Sequence, residues 1–170
     1  MPEDSSTPKE DLTQTPILKA ARDKNSYAGL GRAVSYMMTK PSFAGLKFGH
    51  WAKTLTGQIN RNHYFFVMEG SRIVGFLGWA FVDEALAKKW SEGRADVGGD
   101  ECKDGDCIVI NAWAADTEEV NRFILRQIRT IMKDCKAAYA KRFYKDGRTR
   151  PLRVTINDFV GNHIELDKLL

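Results

Sequence analysis

The chain has 170 residues, with 26 Lys+Arg against 22 Asp+Glu and a formal net charge of +4. That length fits one domain whose core needs no disulfide or metal, and 43% hydrophobic residues with 11% aromatics exclude a wholly disordered chain. Apolar runs fall well short of the ~18 residues a membrane-spanning helix needs, and three cysteines without a secretory leader read as reduced thiols in a cytoplasm.

Residues 1–16 mix Pro2, Pro8 and Pro16 with Ser, Thr, Asp and Glu, and read as a disordered N-terminal tail. One domain is expected over 17–156, and a C-terminal tail over 157–170. From Ile17 to Lys40 the pattern predicts helix, broken near Ser26–Gly31, with Leu30, Ala33, Val34, Met37 and Met38 on one stripe. Pro41 stops it, because its ring clashes with the preceding turn. A second helix is predicted from Leu46 to Ile59, with Leu46, Trp51, Leu55 and Ile59 as its spine. Tyr64–Met68 and Arg72–Phe81 are β-rich runs joined by Glu69-Gly70-Ser71, which is hairpin chemistry. Asp83 caps a short helix. Residues 92–107 form a Gly/Asp loop, and Ile108–Ala115 reads as a buried strand. Asp116 or Thr117 caps a long helix from about Glu118 to Tyr144, and Leu152–Ile156 is a last strand.

A hairpin followed by strand–helix–strand predicts an α/β fold with helices on both faces of a mixed central sheet. This order resembles the GNAT-like (acyl-CoA N-acyltransferase-like) layout, in which two central strands splay apart and admit the acyl arm. On that mapping the splay lies between Ile108–Ala115 and Leu152–Ile156. Such a fold binds a nucleotide-bearing donor at a Gly-rich turn and helix N-terminus. The corresponding residues here are Ala114-Ala115-Asp116-Thr117-Glu118-Glu119. They include no glycine and three carboxylates, which repel phosphates and already satisfy the helix dipole.

Eleven basic residues lie between Arg122 and Arg153, opposed within that stretch only by Asp134 and Asp146. Arg122, Arg126, Arg129, Lys133 and Lys136 follow helical spacing. They read either as a solvated face or as a docking stripe for an acidic partner, with acyl carrier protein and nucleic acid as the alternatives.

The stretch from Gly31 to Tyr64 resembles the N-terminal region of the RTX toxin-activating lysine acyltransferases. The matching features are Leu30-Gly31, Pro41 ten residues after Gly31, a helix, and Asn62-x-Tyr64 entering a strand. Gly75 and Trp79-Ala80 resemble that family's second hairpin strand, and Ile108–Ala114 its central strand. The likeness spans about residues 30–156. It implies a GNAT-like fold and transfer of a fatty acyl group from acyl carrier protein to a lysine ε-amine of a protein substrate. No bound cofactor is implied, because acyl carrier protein delivers the donor. A homodimer is left open.

The chain departs from the family where chemistry is concerned. The family's catalytic histidine falls at Phe43, its serine before the proline at Lys40, and its acidic strand residue at Asn111. Phenylalanine has no proton to move, and a neutral amide does not replace a carboxylate. His50 is the nearest imidazole, seven residues after Phe43, and is read as the candidate base or as a partly buried packing residue beside Trp51. Asn111 is expected to orient the amine or carbonyl, Trp79 and Trp113 to wall an acyl channel, and Arg126 and Arg129 to dock acyl carrier protein. Asn111 and Trp113, two residues apart on one strand, are expected to share a face. His63 reads as surface or packing. Cys102 and Cys107, with Asp100, Asp104 and Asp106, lack the further ligands zinc or calcium needs, and read as part of a flexible acidic loop. Cys135 is expected to pack mid-helix. Two other classes remain: a catalytically inactive relative that binds an acyl chain, a carrier or a partner, and a nucleic-acid-binding regulator.

Overall fold

The computed structural model describes residues 17–144 and 148–156. The two expected tails, and His163 with them, lie outside the described residues. Six strands form one sheet in the order β1 (Leu18–Ala21), β2 (Tyr64–Glu69), β3 (Arg72–Val82), β4 (Cys107–Ala115), β5 (Ala137–Phe143) and β6 (Thr149–Thr155). Every pairing is antiparallel except β4 with β5. This is the expected GNAT-like mixed sheet flanked by helices.

Two helical expectations are corrected. Leu18–Ala21 is an edge strand on β2, and α1 runs from Ser26 to Met37 without a break, capped by Asn25, whose side chain accepts from the Tyr27 and Ala28 N–H groups. Pro41 opens a short helix α2 (Pro41–Ala44), where its missing N–H costs nothing. Leu46 is exposed and precedes α3 (Phe48–Asn60), whose buried residues are Trp51, Leu55, Gln58 and Ile59. The expected helix over 118–144 ends at Ile131 as α5 (Glu118–Ile131), and Ala137–Phe143 is β5. Alanine, lysine and arginine are good helix formers, but between β4 and β6 this segment makes ladder bonds on both edges, and tertiary context outweighs propensity.

The hairpin turn forms as expected, with Gly70 at φ +59°, a left-handed conformation that glycine adopts without steric cost. Asp83 caps α4 (Glu84–Ser91) by accepting from the Leu86 N–H at 2.7 Å. Along β3, Phe76 and Gly78 face α1 and α3, and Ala80 and Val82 continue that face toward α4, whereas Leu77, Trp79 and Phe81 face α5. The acidic loop is held in place. Val97 and Cys102 are buried, a short 3-10 turn spans Asp100–Cys102, and Arg61 Nη1 donates to the Gly98 and Gly99 carbonyls, each at 3.1 Å.

The α5 stripe Val120, Ile124 and Ile128 carries this helix onto the sheet, and Arg126 lies on its exposed face. Ile124→Ala is expected to cost about 2–5 kcal/mol through the cavity it leaves. Arg126→Ala is expected to change stability by no more than about 0.5 kcal/mol. Urea unfolding of the two variants checks the contrast.

Candidate active site

The slot is made by β4 and β5. They pair in parallel over only four positions, from Cys107 with Ala137 to Ile110 with Ala140. Beyond that point β5 continues with β6, Lys141 opposite Pro151 and Phe143 opposite Thr149, while Asn111–Ala115 continue with β3 alone. The two strands therefore part after Ile110. This corrects the expected partner strand. The splay flanks β4 as expected, but its second arm is β5, because the long helix was in fact a helix followed by a strand.

A β-bulge sits at the apex. Gly78 pairs with Ala112 and the next residue, Trp79, pairs with Ile110, so Asn111 is an extra residue with no counterpart on β3. Side-chain parity changes across it. Cys107 and Val109 share a face with Ala112 and Ala114, and Ile108 and Ile110 share the other with Trp113 and Ala115. A bulge re-aims side chains in this way. It corrects the expectation that Asn111 and Trp113 share one face. The Asn111 Oδ1 accepts a hydrogen bond from Gln58 Nε2 on α3, while the Trp113 Nε1 donates to Asn121 Oδ1 on α5 at 2.9 Å.

The remaining expected site residues are dispersed. His50 is exposed in the first turn of α3 and not packed beside Trp51. It lies eight residues before Gln58 on the same helix, about 12 Å along the axis, so the structure does not bring it to Asn111. Phe43 belongs to α2 and packs against the apolar cluster of α1, α3, β2 and β3. Trp79 is buried on the α5 face, with Phe65 and His63 against its ring. Arg126 and Arg129 are exposed on α5 with Arg122. Lys133 and Lys136 lie past the end of α5, which corrects the five-residue stripe to three. Carboxylates outside the basic segment also answer it: Arg122 pairs with Glu118 of the same helix at 3.0 Å, Lys136 with Asp106 at 2.5 Å and Arg153 with Glu84 at 3.1 Å.

Thr117 caps α5, accepting from the Val120 N–H at 3.2 Å. Asp116 is left to accept from Tyr36 Oη at 2.8 Å and to pair with Lys40 Nζ at 2.5 Å. Burial first, then the hydrogen bond to Asp116 and its charge, push the Tyr36 phenol well above its ordinary value, so it stays a protonated donor. This trio borders an open concavity of about 720 Å³ lined also by Arg32, Ser35 and Thr39. The concavity lies over α1 and is separate from the slot apex.

Sequence reading missed Gln58 and Lys141. Gln58 looked like one more polar position on an amphipathic helix. Lys141 was placed on a helix, but it is the first β5 residue past the last pair with β4, and its Nζ lies 4.4 Å from the Trp90 ring centroid. Burial lowers its pKa and Asp96 opposes the shift. The three cysteines are free and buried, and burial raises each thiol, Cys107 and Cys135 to about 11. Cys135 lies past α5, and its core-like packing holds. No group of three or more His, Cys, Asp or Glu is placed to hold a metal among the described residues. No helix there is long and apolar enough to cross a membrane.

The RTX toxin acyltransferase family model (HlyC) matches residues 22–155. The chain belongs to this family of toxin-activating acyltransferases. The match takes in every strand from β2 to β6 and the whole slot. No curated protein matches the chain. Among solved structures, it is similar to the loading GNATL domain of CurA from Lyngbya majuscula, at 9% identity and a TM-score of 0.51, over 78% of this chain and 67% of that one. At that identity the likeness concerns the fold.

His63 gives a test of the site's surroundings. Its ring stacks on Trp79 at 5.9 Å and meets Phe81 edge-on at 5.1 Å. Burial first, then the charges of Arg61 and Arg22, lower its pKa from 6.5 to about 4. Between those values the unfolded chain binds a proton that the folded chain refuses. The folded state therefore loses stability as the pH falls from 6.5 toward about 4. His63→Phe keeps a ring against Trp79 and is expected to flatten this part of the acid limb, measured as Tm against pH.

Proposed function

We propose that this chain transfers an acyl group from acyl carrier protein to a lysine ε-amine of a protein substrate. The observation that carries the reading is the parting of β4 from β5 immediately after Ile110 and Ala140, with buried Gln58 bonded to half-buried Asn111 at the apex. In this reading the thioester lies in the slot, Asn111 orients the reacting groups, and Trp113 and Trp79 line the side of the sheet along which the chain runs. No bound cofactor is needed. Family membership supports an acyl carrier and a protein substrate in general.

Electrostatics favour a protein-borne donor over a free nucleotide thioester. Glu118 and Glu119 occupy the first turn of α5, and Asp116 precedes them. A pyrophosphate there would meet carboxylates where a helix N-terminus otherwise attracts anions. The same helix presents Arg122, Arg126 and Arg129 on its outer face, with Leu125 exposed among them. Cations around an apolar contact suit an acidic helical carrier. Three buried, free cysteines agree with a reducing cytoplasm.

The second reading is an inactive relative that retains the slot for binding. It is favoured by Phe43, whose ring packs into the apolar cluster where the family places its histidine. Loss of a general base costs about 10²–10⁴ in rate, so an active chain would be slow. A nucleic-acid regulator is less well supported, because the basic stripe does not continue beyond α5.

Incubation with dodecanoyl–acyl carrier protein and a protein lysate, followed by mass spectrometry of lysine residues, separates these readings. Acyl-lysine that depends on the chain supports the enzyme. Carrier binding without any acyl-lysine supports the inactive relative. The Arg126→Glu, Arg129→Glu double variant is expected to weaken carrier binding by more than about tenfold at low salt.

A further inference from the structure

The amide pair at the slot apex assigns a direction to its hydrogen bonds. Gln58 is fully buried, and it is fixed at both ends. Its backbone belongs to the closing turn of α3, where Asn62 takes the left-handed conformation at φ +60°. There the His63 N–H donates to the Gln58 carbonyl at 2.8 Å and the Asn62 N–H donates to the Ile59 carbonyl at 3.0 Å. This pair of bonds is the usual closure of a helix on a left-handed residue. Its side chain lies against Gly78 of β3, where any Cβ would overlap the carboxamide. Only glycine at 78 lets a glutamine lie there.

From that position Gln58 Nε2 donates to Asn111 Oδ1. An asparagine side chain offers one oxygen acceptor and an NH₂ with two donors. Gln58 takes up the acceptor through Nε2, and its own Oε1 is buried without a partner. Asn111 Nδ2 is buried and has no partner, at the first position of β4 beyond its last pair with β5. Buried donors are almost always satisfied; Trp79 Nε1, Arg61 Nε and Arg61 Nη2 also lack partners, and Asn111 Nδ2 is set apart from them by its place where β4 parts from β5.

We propose that Asn111 Nδ2 donates a hydrogen bond to the carbonyl oxygen of the bound acyl thioester, and that Gln58 is the positioning residue that holds Asn111 in this orientation. This rests on the acyl-transfer reading above. In the reaction the lysine nitrogen forms a bond to the carbonyl carbon, and negative charge collects on the oxygen. The carbon–sulfur bond then breaks, and the carrier's phosphopantetheine thiol leaves with the proton that the amine gives up. A donor already in place stabilises the charged oxygen without reorganising. A carboxylate at 111, paired with Gln58 in the same way, would offer the oxygen no proton.

The test uses the full chain and dodecanoyl–acyl carrier protein labelled with carbon-13 at the thioester carbonyl, without an acceptor amine. On binding to the wild type, the carbonyl resonance is expected to move downfield, as it does on accepting a hydrogen bond. Asn111→Asp and Gln58→Met, measured with the carrier at saturating concentration, are expected to lose that shift. Gly78→Ala, which pushes the Gln58 carboxamide aside, is expected to lose it too and serves if Gln58→Met fails to fold. A shift retained in Asn111→Asp overturns the donor assignment and leaves the acyl-transfer reading standing. A shift retained in the folded variants at 58 and 78 overturns the positioning role of Gln58. No binding of the thioester by the wild-type chain overturns both this inference and the reading beneath it.

Discussion

One extra residue in β4 organises the candidate site. Strand β4 on either side of Asn111 is regular, with alternating side chains buried against helices on both faces. At Asn111 that alternation slips by one. Asn111 follows Cys107 and Val109 onto the α3 face where β4 loses its partner on the β5 side, and the slip turns Trp113 to the α5 face. A strand with perfect alternation would aim Trp113 at the α3 face beside Asn111, away from Asn121 on α5.

The surrounding packing follows from the same slip. Gly78 lies across from Ala112 on β3 and leaves space for Gln58. Asn62 ends α3 so that Gln58 falls over that space. A helix end, a glycine in a strand and a bulge in the next strand thus meet in a single hydrogen bond. Leaving a buried donor unpaired costs about 1–3 kcal/mol, which the well-packed aromatic layer of Tyr64, Phe66 and Phe76 beside it is placed to offset. The side chains that meet at the apex offer orientation and hydrogen-bond donation.

Charge is distributed to match. Carboxylates gather at the start of α5 and basic side chains on its outer face. Tyr36, Lys40 and Asp116 tie α1 to the end of β4 by a hydrogen bond and an ion pair. They border the open concavity over α1. In the proposed reading this arrangement repels a nucleotide-borne donor and leaves a surface complementary to an acidic protein.

The sequence by itself determined the hairpin, the central strand, the capped start of α5 and the mixed α/β class. These rest on local signals: a glycine at a turn, an apolar run, a threonine before two glutamates. It also identified the family through residues whose spacing the chain alone records. The tertiary structure decided the rest. Leu18–Ala21 and Ala137–Phe143 carry helix-forming residues, and they are strands because neighbouring edges offer ladder bonds that an isolated segment lacks. The partner strand of the slot changed for that reason. Gln58 could not be singled out, because a polar residue on an amphipathic helix gives no sign of being buried until a glycine on a distant strand makes room for it. The bulge at Asn111 leaves no local mark either, since register is a property of two strands and not of one.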